Sequence, residues 1–283
     1  MDWKKIAPHR RHHEAGGELL EQYGVDTSLT GEDLLEEVAR VFSRLPYENL
    51  TKLIRKHREH GGPSRFRLPS DVVGEHLGQG AGGTCFSLSC LFGVSLAALG
   101  VSSYPVLAQM RSRRAMHCGL VVPLGDERFL LDPGYLVFRP LRLQPTGRTE
   151  GVAGAGKVAL IGEREGDAYH LESGGRWRYS FRDRPMTVEA FLKLWDESFN
   201  WPMMNNIHLS RAVEGGFLYA RGHKVRRNLR GETSNENIRP RHTEALEEYF
   251  QISRSLAEEA LRIVAESRGA GRVALRSKDE VEH

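Results

Sequence analysis

Cysteine is scarce in this chain of 283 residues: there are three, an odd number, at positions 85, 90 and 118. That is too few for a disulfide framework, and no CxxC pair offers zinc spacing. Long apolar runs are also missing. No window reaches the roughly 18 consecutive apolar residues that a bilayer span requires, and the opening MDWKKIAPHRRHH lacks the apolar core of a signal segment. Nor does one sign of charge dominate. The 40 basic residues are interspersed with 37 acidic ones, for a net charge of +3. This balance excludes the concentrated footprint of a nucleic-acid binder and leaves room for a local phosphate site. Together these absences point to a soluble protein of the reducing cytoplasm with no metal, membrane or nucleic-acid partner. With 40% hydrophobic and 27% charged residues, the chain has enough apolar material for a sizeable core.

The apolar spacing changes along the chain. Leu34, Leu35, Val38, Val41, Phe42 and Leu45 form the stripe of an amphipathic helix over residues 31–45, with Thr30 at its N-cap and Pro46 past its end. The polar, basic stretch from Lys52 to Arg67 reads as loop or short surface helix, and residues 71–77 as a short helix. The run Gly78 to Gly83 leads into an apolar segment, read as a buried helix over residues 85–99 capped by Gly100. From residue 101 the pattern becomes that of strands: Tyr104 to Met110, Met116 to Val122, Arg128 to Leu131, Lys157 to Ile161, Ala168 to Glu172 and Trp177 to Phe181. Gly151 to Gly156 reads as a flexible connection, and Gly174-Gly175 as a hairpin turn. A helix over Val188 to Ser198 follows, then a hairpin of Ile207 to Val213 and Phe217 to Arg221. One helix from about Thr243 to Glu266 carries Leu246, Phe250, Leu256, Ala260 and Val264, and residues 267–283 read as frayed. The expected architecture is α+β. Residues 1–100 form an N-terminal helical bundle, 101–184 a central antiparallel β-barrel-like domain, and 185–283 a C-terminal α/β lid.

Cys85 is the candidate nucleophile. It falls at a helix N-terminus, where unpaired amides and the helix dipole favour an anion, directly after two glycines that admit close approach. The same amides could hold a developing oxyanion. Cys90, inside the helix, reads as packing. Cys118 follows His117 in a strand, so it points to the opposite face and reads as a bystander. Of the twelve histidines, most fall in polar, exposed stretches. His117 opens an apolar strand and Asp132 closes the next. A two-residue loop at Leu124-Gly125 would pair them directly; a four-residue loop from Leu124 to Glu127 would make them diagonal neighbours. In both cases they share a face, whereas an odd-length loop would separate them. A helix-terminal cysteine followed by a strand histidine and a strand aspartate is the order of papain-like and transglutaminase-like sites.

These residues resemble the arylamine N-acetyltransferase family. Arg44-Leu45-Pro46-Tyr47-Glu48-Asn49-Leu50 is similar to its Arg-x-Pro-Phe-Glu-Asn segment. Gly82-Gly83-Thr84-Cys85-Phe86 is similar to its Arg-Gly-Gly-x-Cys-Phe motif, and Asp132-Pro133-Gly134-Tyr135 to its Asp-Val-Gly-Phe. The resemblance implies a cysteine-proteinase-like core in which Cys85 is acylated, His117 draws its proton and Asp132 holds the imidazole. It further implies ping-pong transfer from acetyl-coenzyme A, or a related acyl-coenzyme A, to a small-molecule amine, with no metal. Phe86, Gly134 and Tyr135 would meet substrate. Glu48 and Asn49 would support the site, and Arg44 would tie the helical part to the core through hydrogen bonds. Ala81 stands where the family has arginine, and Ser87 and Ser89 replace its Glu-x-Asn. Those departures bear on the acceptor and donor, and Tyr135 in place of phenylalanine implies a more polar acceptor. Arg211, His223, Lys224, Arg226 and Arg227 could meet phosphates or form a solvated basic face. Two other readings use the same residues: a transglutaminase-like hydrolase or amide-forming enzyme, and a binding module in which the three side chains are packing.

Overall fold

A computed structural model gives the fold and describes residues 1–59, 61–110, 116–153, 156–163 and 166–279. The first part is helical: α1 (Trp3–Ile6), α2 (Arg10–Gln22) and α3 (Gly31–Phe42), then a two-residue strand β1 (Tyr47–Glu48), then α4 (Leu50–Arg58), α5 (Pro69–Gln79) and α6 (Cys85–Ala98). Helix α6 has no polar face. Every residue from Cys85 to Leu96 is buried, because α2 and α5 cover one side and the barrel the other. It ends at Leu99, followed by Gly100 at φ +74°. Thr30 sits at the N-cap of α3, but its side chain makes no capping bond.

The stretch read as loop or short surface helix begins with helix α4, whose inner side is buried rather than at the surface. Leu50, Leu53 and Ile54 sit on its inner side at one-, three- and four-residue spacings, and Thr51 and Lys52 are buried with them.

Strands β2 (Tyr104–Met110), β3 (Met116–Leu124), β4 (Glu127–Asp132), β5 (Val137–Arg142), β6 (Arg148–Ala153), β7 (Gly156–Gly162), β8 (Ala168–Ser173) and β9 (Arg176–Arg182) form one antiparallel sheet in the order β5-β4-β3-β2-β9-β8-β7-β6. Its end strands β5 and β6 return beside each other, so the sheet curls into a nearly closed barrel. Part of the expected Gly151 to Gly156 connection is strand: Gly151 to Ala153 belong to β6 and pair with β7. Gly154 and Ala155 lie outside the described residues.

In the hairpin β3–β4, Leu124 pairs with Glu127 and Leu120 with Leu131 across the turn Gly125-Asp126. This is the second of the two registers considered: Asp132 falls one step beyond the last pair, a diagonal neighbour of His117. Leu120, Val122, Phe129 and Leu131 face α6 and the helical core, whereas Val121 and Leu130 face the barrel interior.

The last part contains α7 (Val188–Glu197), packed on the helical core through Phe191 and Trp195, and strands β10 (His208–Val213), β11 (Gly216–Arg221), β12 (Lys224–Leu229) and β13 (Glu232–Asn237). These join β1 in a five-stranded sheet, β1-β10-β11-β12-β13. The single C-terminal helix expected from Thr243 is two helices, α8 (His242–Phe250) and α9 (Arg254–Asp279), because Gln251 adopts φ +58° and breaks the ladder. Leu246 and Phe250 of α8, and Leu256, Ala260 and Val264 of α9, are buried in one cluster with α4. Helix α9 continues past Glu266, where fraying was expected, and 280–283 lie outside the described residues. No helix among the described residues is long and apolar enough to cross a membrane.

Candidate active site

Cys85 occupies the first position of α6, and the first intrahelical bond runs from Leu88 N–H to Thr84 O. The amides of Cys85, Phe86 and Ser87 therefore precede the helical ladder and point out of its N-terminus. Two glycines bring this end against β1: Gly83 N–H donates to Pro46 O (3.2 Å) and Glu48 N–H to Gly83 O (3.0 Å). Cys85 is 5% exposed, in a site that is nearly closed.

The hairpin delivers His117 and Asp132 to the same place. His117 Nε2 donates to Asp132 Oδ2 at 2.7 Å, and the His117 side chain is also hydrogen-bonded with Cys85. With Nε2 engaged by the carboxylate, Nδ1 is the nitrogen left for the sulfur. Burial works against a charge on His117, but the Asp132 carboxylate, its hydrogen bond and the Cys85 sulfur outweigh burial and carry the imidazole up to about 10. His117 is then a group whose folded value lies above its ordinary 6.5. Its stabilising contribution is complete below a pH of about 6.5 and is lost as pH rises through about 10. Denaturant unfolding of the wild type and of His117→Gln across that window should show the wild-type advantage shrinking; a constant difference would contradict the ion pair.

Asp132 has no exposed surface and accepts three hydrogen bonds. Besides His117, Tyr179 Oη donates to Oδ2 at 2.7 Å and Tyr135 N–H to Oδ1 at 3.0 Å. The Tyr135 bond comes from the 3-10 turn Pro133–Tyr135, which caps β4. Tyr179, on β9, was not visible as a site residue in the sequence. It comes from a strand 47 residues away, with no motif around it. Tyr179→Phe should cost about 1.5–3 kcal/mol of stability, the range for a hydrogen bond to a charged group. It should slow reaction of the Cys85 thiol by less than about tenfold, because His117 keeps its own bond. Urea unfolding and single-turnover kinetics read the two effects separately.

The other residues singled out in the sequence are divided by the structure. Gly134 and Tyr135 are half-buried beside Cys85, His117 and Asp132. A Cβ on Gly134 would lie 2.9 Å from His117 Cε1 and 3.1 Å from Cys85 Cβ, so the missing side chain leaves the approach open. The Tyr135 ring meets His117 edge-on at 6.2 Å and Tyr179 at 5.5 Å. Phe86 turns inward instead. It has no exposed surface and packs among Phe191 (5.3 Å), Trp201 (6.0 Å) and Trp195 (6.3 Å), which makes it a wall behind Cys85.

Glu48 and Asn49 are both fully buried. Glu48 accepts from Thr51 N–H (3.0 Å) and Thr51 Oγ1 (2.6 Å). The Asn49 amide donates to Met203 O (3.1 Å) and Asn206 O (2.8 Å) and accepts from His208 N–H (2.7 Å), so it binds residues 203–208 to the segment beside Gly83.

Among the described residues, the Arg44 side chain does not make the expected hydrogen bonds. It is exposed, and its guanidinium lies over the Tyr23 ring at 4.9 Å. The buried arginine here is Arg67, 3% exposed, which donates to Gly82 O (2.7 Å), Glu75 (2.6 Å) and Glu48 (3.4 Å). It supplies a guanidinium to the glycine loop from a different part of the chain than position 81.

Cys118 faces the helical core with Leu120, and burial pushes its thiol and that of Cys90 well up. Of the candidate phosphate-binding residues, Arg211 is held by Gln251 and Tyr249 O, Arg227 by Glu236 and the Tyr249 ring, and His223 by His242. Lys224 and Arg226 are exposed.

A profile of the N-acetyltransferase family matches residues 32–257. Among solved structures, the fold is similar to the arylamine N-acetyltransferase of Mycobacterium abscessus, with 20% identity, 88% of this chain and 96% of that chain covered, and a TM-score of 0.71. It is similar to that of Salmonella typhimurium at 19% identity, 88% and 98% coverage and a TM-score of 0.68. A Bacillus cereus arylamine N-acetyltransferase described as having a unique Cys-His-Glu catalytic triad is similar at 16% identity, 79% and 92% coverage and a TM-score of 0.62. No curated protein sequence matches significantly. The match covers most of the chain and includes Cys85, His117 and Asp132, so the chain belongs to the N-acetyltransferase family and is an acyl-transferring enzyme.

Proposed function

We propose that this enzyme carries an acetyl or similar acyl group from a coenzyme A thioester to a small-molecule amine through a thioester on Cys85. The observation that carries the reading is the buried Cys85–His117–Asp132 chain at the N-terminus of α6. His117 Nδ1 takes the Cys85 proton, and the sulfur attacks the thioester carbonyl. The oxyanion that forms lies at the free amides of the first turn of α6. Collapse breaks the bond to the coenzyme A sulfur, which leaves with the proton from His117. In the second half the amine attacks the Cys85 thioester, gives its proton to His117, and the sulfur departs to restore the starting state. Asp132 keeps Nε2 protonated throughout, so that Nδ1 is always the nitrogen exchanging the proton.

The residues present suit a thioester. The nucleophile, the base and the oxyanion donors converge on one point, and Gly134 leaves space there for a small acyl group. The Tyr135 ring lies edge-on to His117, and its hydroxyl favours an amine with a polar substituent. In this reading residues 1–100 bring the nucleophile, 101–184 the base and its carboxylate, and 185–283 close over the site in a cytoplasmic enzyme.

Incubation with acetyl-coenzyme A in the absence of amine, followed by intact mass and peptide mapping, tests the first half-reaction. The expected result is one acetyl group, on the Cys85 peptide, abolished by prior carbamidomethylation. A protein whose Cys85 alkylates quickly but takes no acetyl group would rule out acetyl-coenzyme A as donor. Rapid turnover of the donor with no amine present would favour hydrolysis.

A further inference from the structure

Lys52, on the inner face of α4, has no part in the chemistry described so far, yet it is one of the most unusual groups in the molecule. Its side chain is 5% exposed. Nζ donates to Ser198 Oγ at 2.5 Å, and Ser198 in turn donates to Trp195 O. The ammonium lies 4.7 Å from the centre of the Phe199 ring and 5.9 Å from that of Trp201. Rings and a hydroxyl can accommodate a cation, but they bring no negative charge. Among the described residues no carboxylate pairs with Lys52. The nearby cations are Arg65, which is paired with Asp196 at 2.7 Å, Arg67, which is paired with Glu75 and Glu48, and the neighbouring Lys56. A buried ammonium without a counter-ion is costly, and replacing such a group by a hydrocarbon of similar shape is commonly neutral or stabilising.

The group that can supply the missing charge is the nucleophile. Lys52, Arg67, Thr84 and Ser87 line a small cavity against the first turn of α6, with Trp195 and Phe199 completing its wall. The cavity has room for about one water molecule. Cys85 starts that turn, and among the described residues it is the group whose charge favours the ammonium of Lys52. We propose that Lys52 is a positioning residue for the nucleophile: it is the buried counter-charge of anionic Cys85 on the α4 side of the site, as His117 is on the barrel side. The proposal rests on the reading of Cys85 as the acylated residue.

The charge of Lys52 then follows the state of the sulfur. Burial draws Lys52 down to about 7, with Arg65 and Lys56 acting in the same direction, and Cys85 opposes them. Acylation replaces the anionic sulfur by a neutral thioester, and the opposing effect disappears. Across the first half-reaction the thioester carbonyl gains the Cys85 sulfur and loses the coenzyme A sulfur. The His117 proton leaves on coenzyme A, and Lys52 holds its own proton less tightly until the free sulfur returns in the second half. Ser198 adds a structural link, because the Lys52–Ser198 bond ties the charge to residues 198–201 beneath Phe86.

Iodoacetamide labelling of Cys85, Cys90 and Cys118, followed by peptide mass across pH, separates this proposal from the one beneath it. In the wild type Cys85 should be the fast thiol; if it is not, the acyltransferase site itself is wrong. In Lys52→Met the pH of half-maximal labelling of Cys85 should rise by about one unit, a slowing of about tenfold on the acid side. Lys52→Arg should restore the wild-type profile. A purely structural lysine would leave the profile in place and change stability alone, so a Lys52→Met curve that superimposes on the wild type overturns the proposal while Cys85 remains the fast thiol. A second measurement needs no variant. In wild-type protein carrying ¹³C-labelled lysine, the Lys52 titration midpoint should fall after carbamidomethylation of Cys85, and an unchanged midpoint overturns the proposal equally.

Discussion

Asp132→Asn should leave a folded protein that acylates about 10⁴-fold more slowly, the scale observed when a triad carboxylate becomes an amide. The argument begins with donors. In the wild type Asp132 accepts from His117 Nε2, Tyr179 Oη and Tyr135 N–H, and offers no proton of its own. An asparagine brings an NH₂ group into this wholly accepting position. If its oxygen stays on Tyr135 N–H, the NH₂ faces two donors on the Oδ2 side. The cheapest relief is for His117 to accept at Nε2 and move its proton to Nδ1, the nitrogen facing Cys85, where it can no longer receive the thiol proton. The charge argument has the same sign. Burial is the largest influence on His117 and favours the neutral ring; once the carboxylate charge is gone, little remains to hold the imidazole at about 10. Single-turnover acetylation and the pH dependence of Cys85 alkylation would both register the loss. A reduction of less than tenfold would sink Asp132 as the group that sets the His117 tautomer.

How much of this site could be seen beforehand differed between its parts, for a physical reason. A strand repeats every two residues, so once β3 and β4 were recognised, either even-length loop put His117 and Asp132 on one face, as the observed register does, and Cys118 had to point away. The buried run after Gly83 likewise fixed the start of α6 to within a residue, because an all-apolar helix needs a cover on every side. Tyr179 was hidden because the contact that matters depends on how the barrel closes, and no local pattern encodes that. The burial of helix α4 was missed since Lys52, Arg55, Lys56, His57 and Arg58 dominate its composition, which hides the stripe of Leu50, Leu53 and Ile54. The residue that most misled the reading, Lys52, is itself buried, an exception to the rule that lysine marks surface. Arg44 and Arg67 show the limit of motif matching. The arginine beside Pro46 in sequence is exposed, whereas the buried one that reaches the glycine loop comes from the connection between α4 and α5. The break at Gln251 had no glycine to announce it, so two helices read as one.

Gly82→Ala should do the most damage to the scaffold itself. The glycine is required here by close approach: a Cβ at position 82 would lie 1.7 Å from Pro46 O and 2.7 Å from its carbonyl carbon. Both are backbone atoms, so no rotamer change can relieve the contact, and the segment through Pro46 must retreat from the glycine loop. That segment is tied down on its far side. Gly83 N–H donates to Pro46 O, Glu48 is held by Thr51 and Arg67, and Asn49 holds Met203, Asn206 and His208. Moving it by an ångström strains several buried bonds at once, for an expected loss of more than about 3 kcal/mol, the upper range of overpacking in a buried site. Protein that still folds would carry Cys85 displaced against His117. A misplacement of about 1 Å is worth about a hundredfold in rate. Gly83→Ala is the matched comparison. Its Cβ would meet the Ser87 hydroxyl at 2.4 Å, a side-chain atom that can rotate away, and Arg67 Nη1 at 3.3 Å. It should therefore cost about 1 kcal/mol, within the ordinary range for a point mutation. Urea unfolding of the pair, with acetylation rates on whatever remains folded, gives the test. Equal stabilities for the two variants would mean that the contact with Pro46 relaxes freely and that the glycine loop does not hold Cys85 in place.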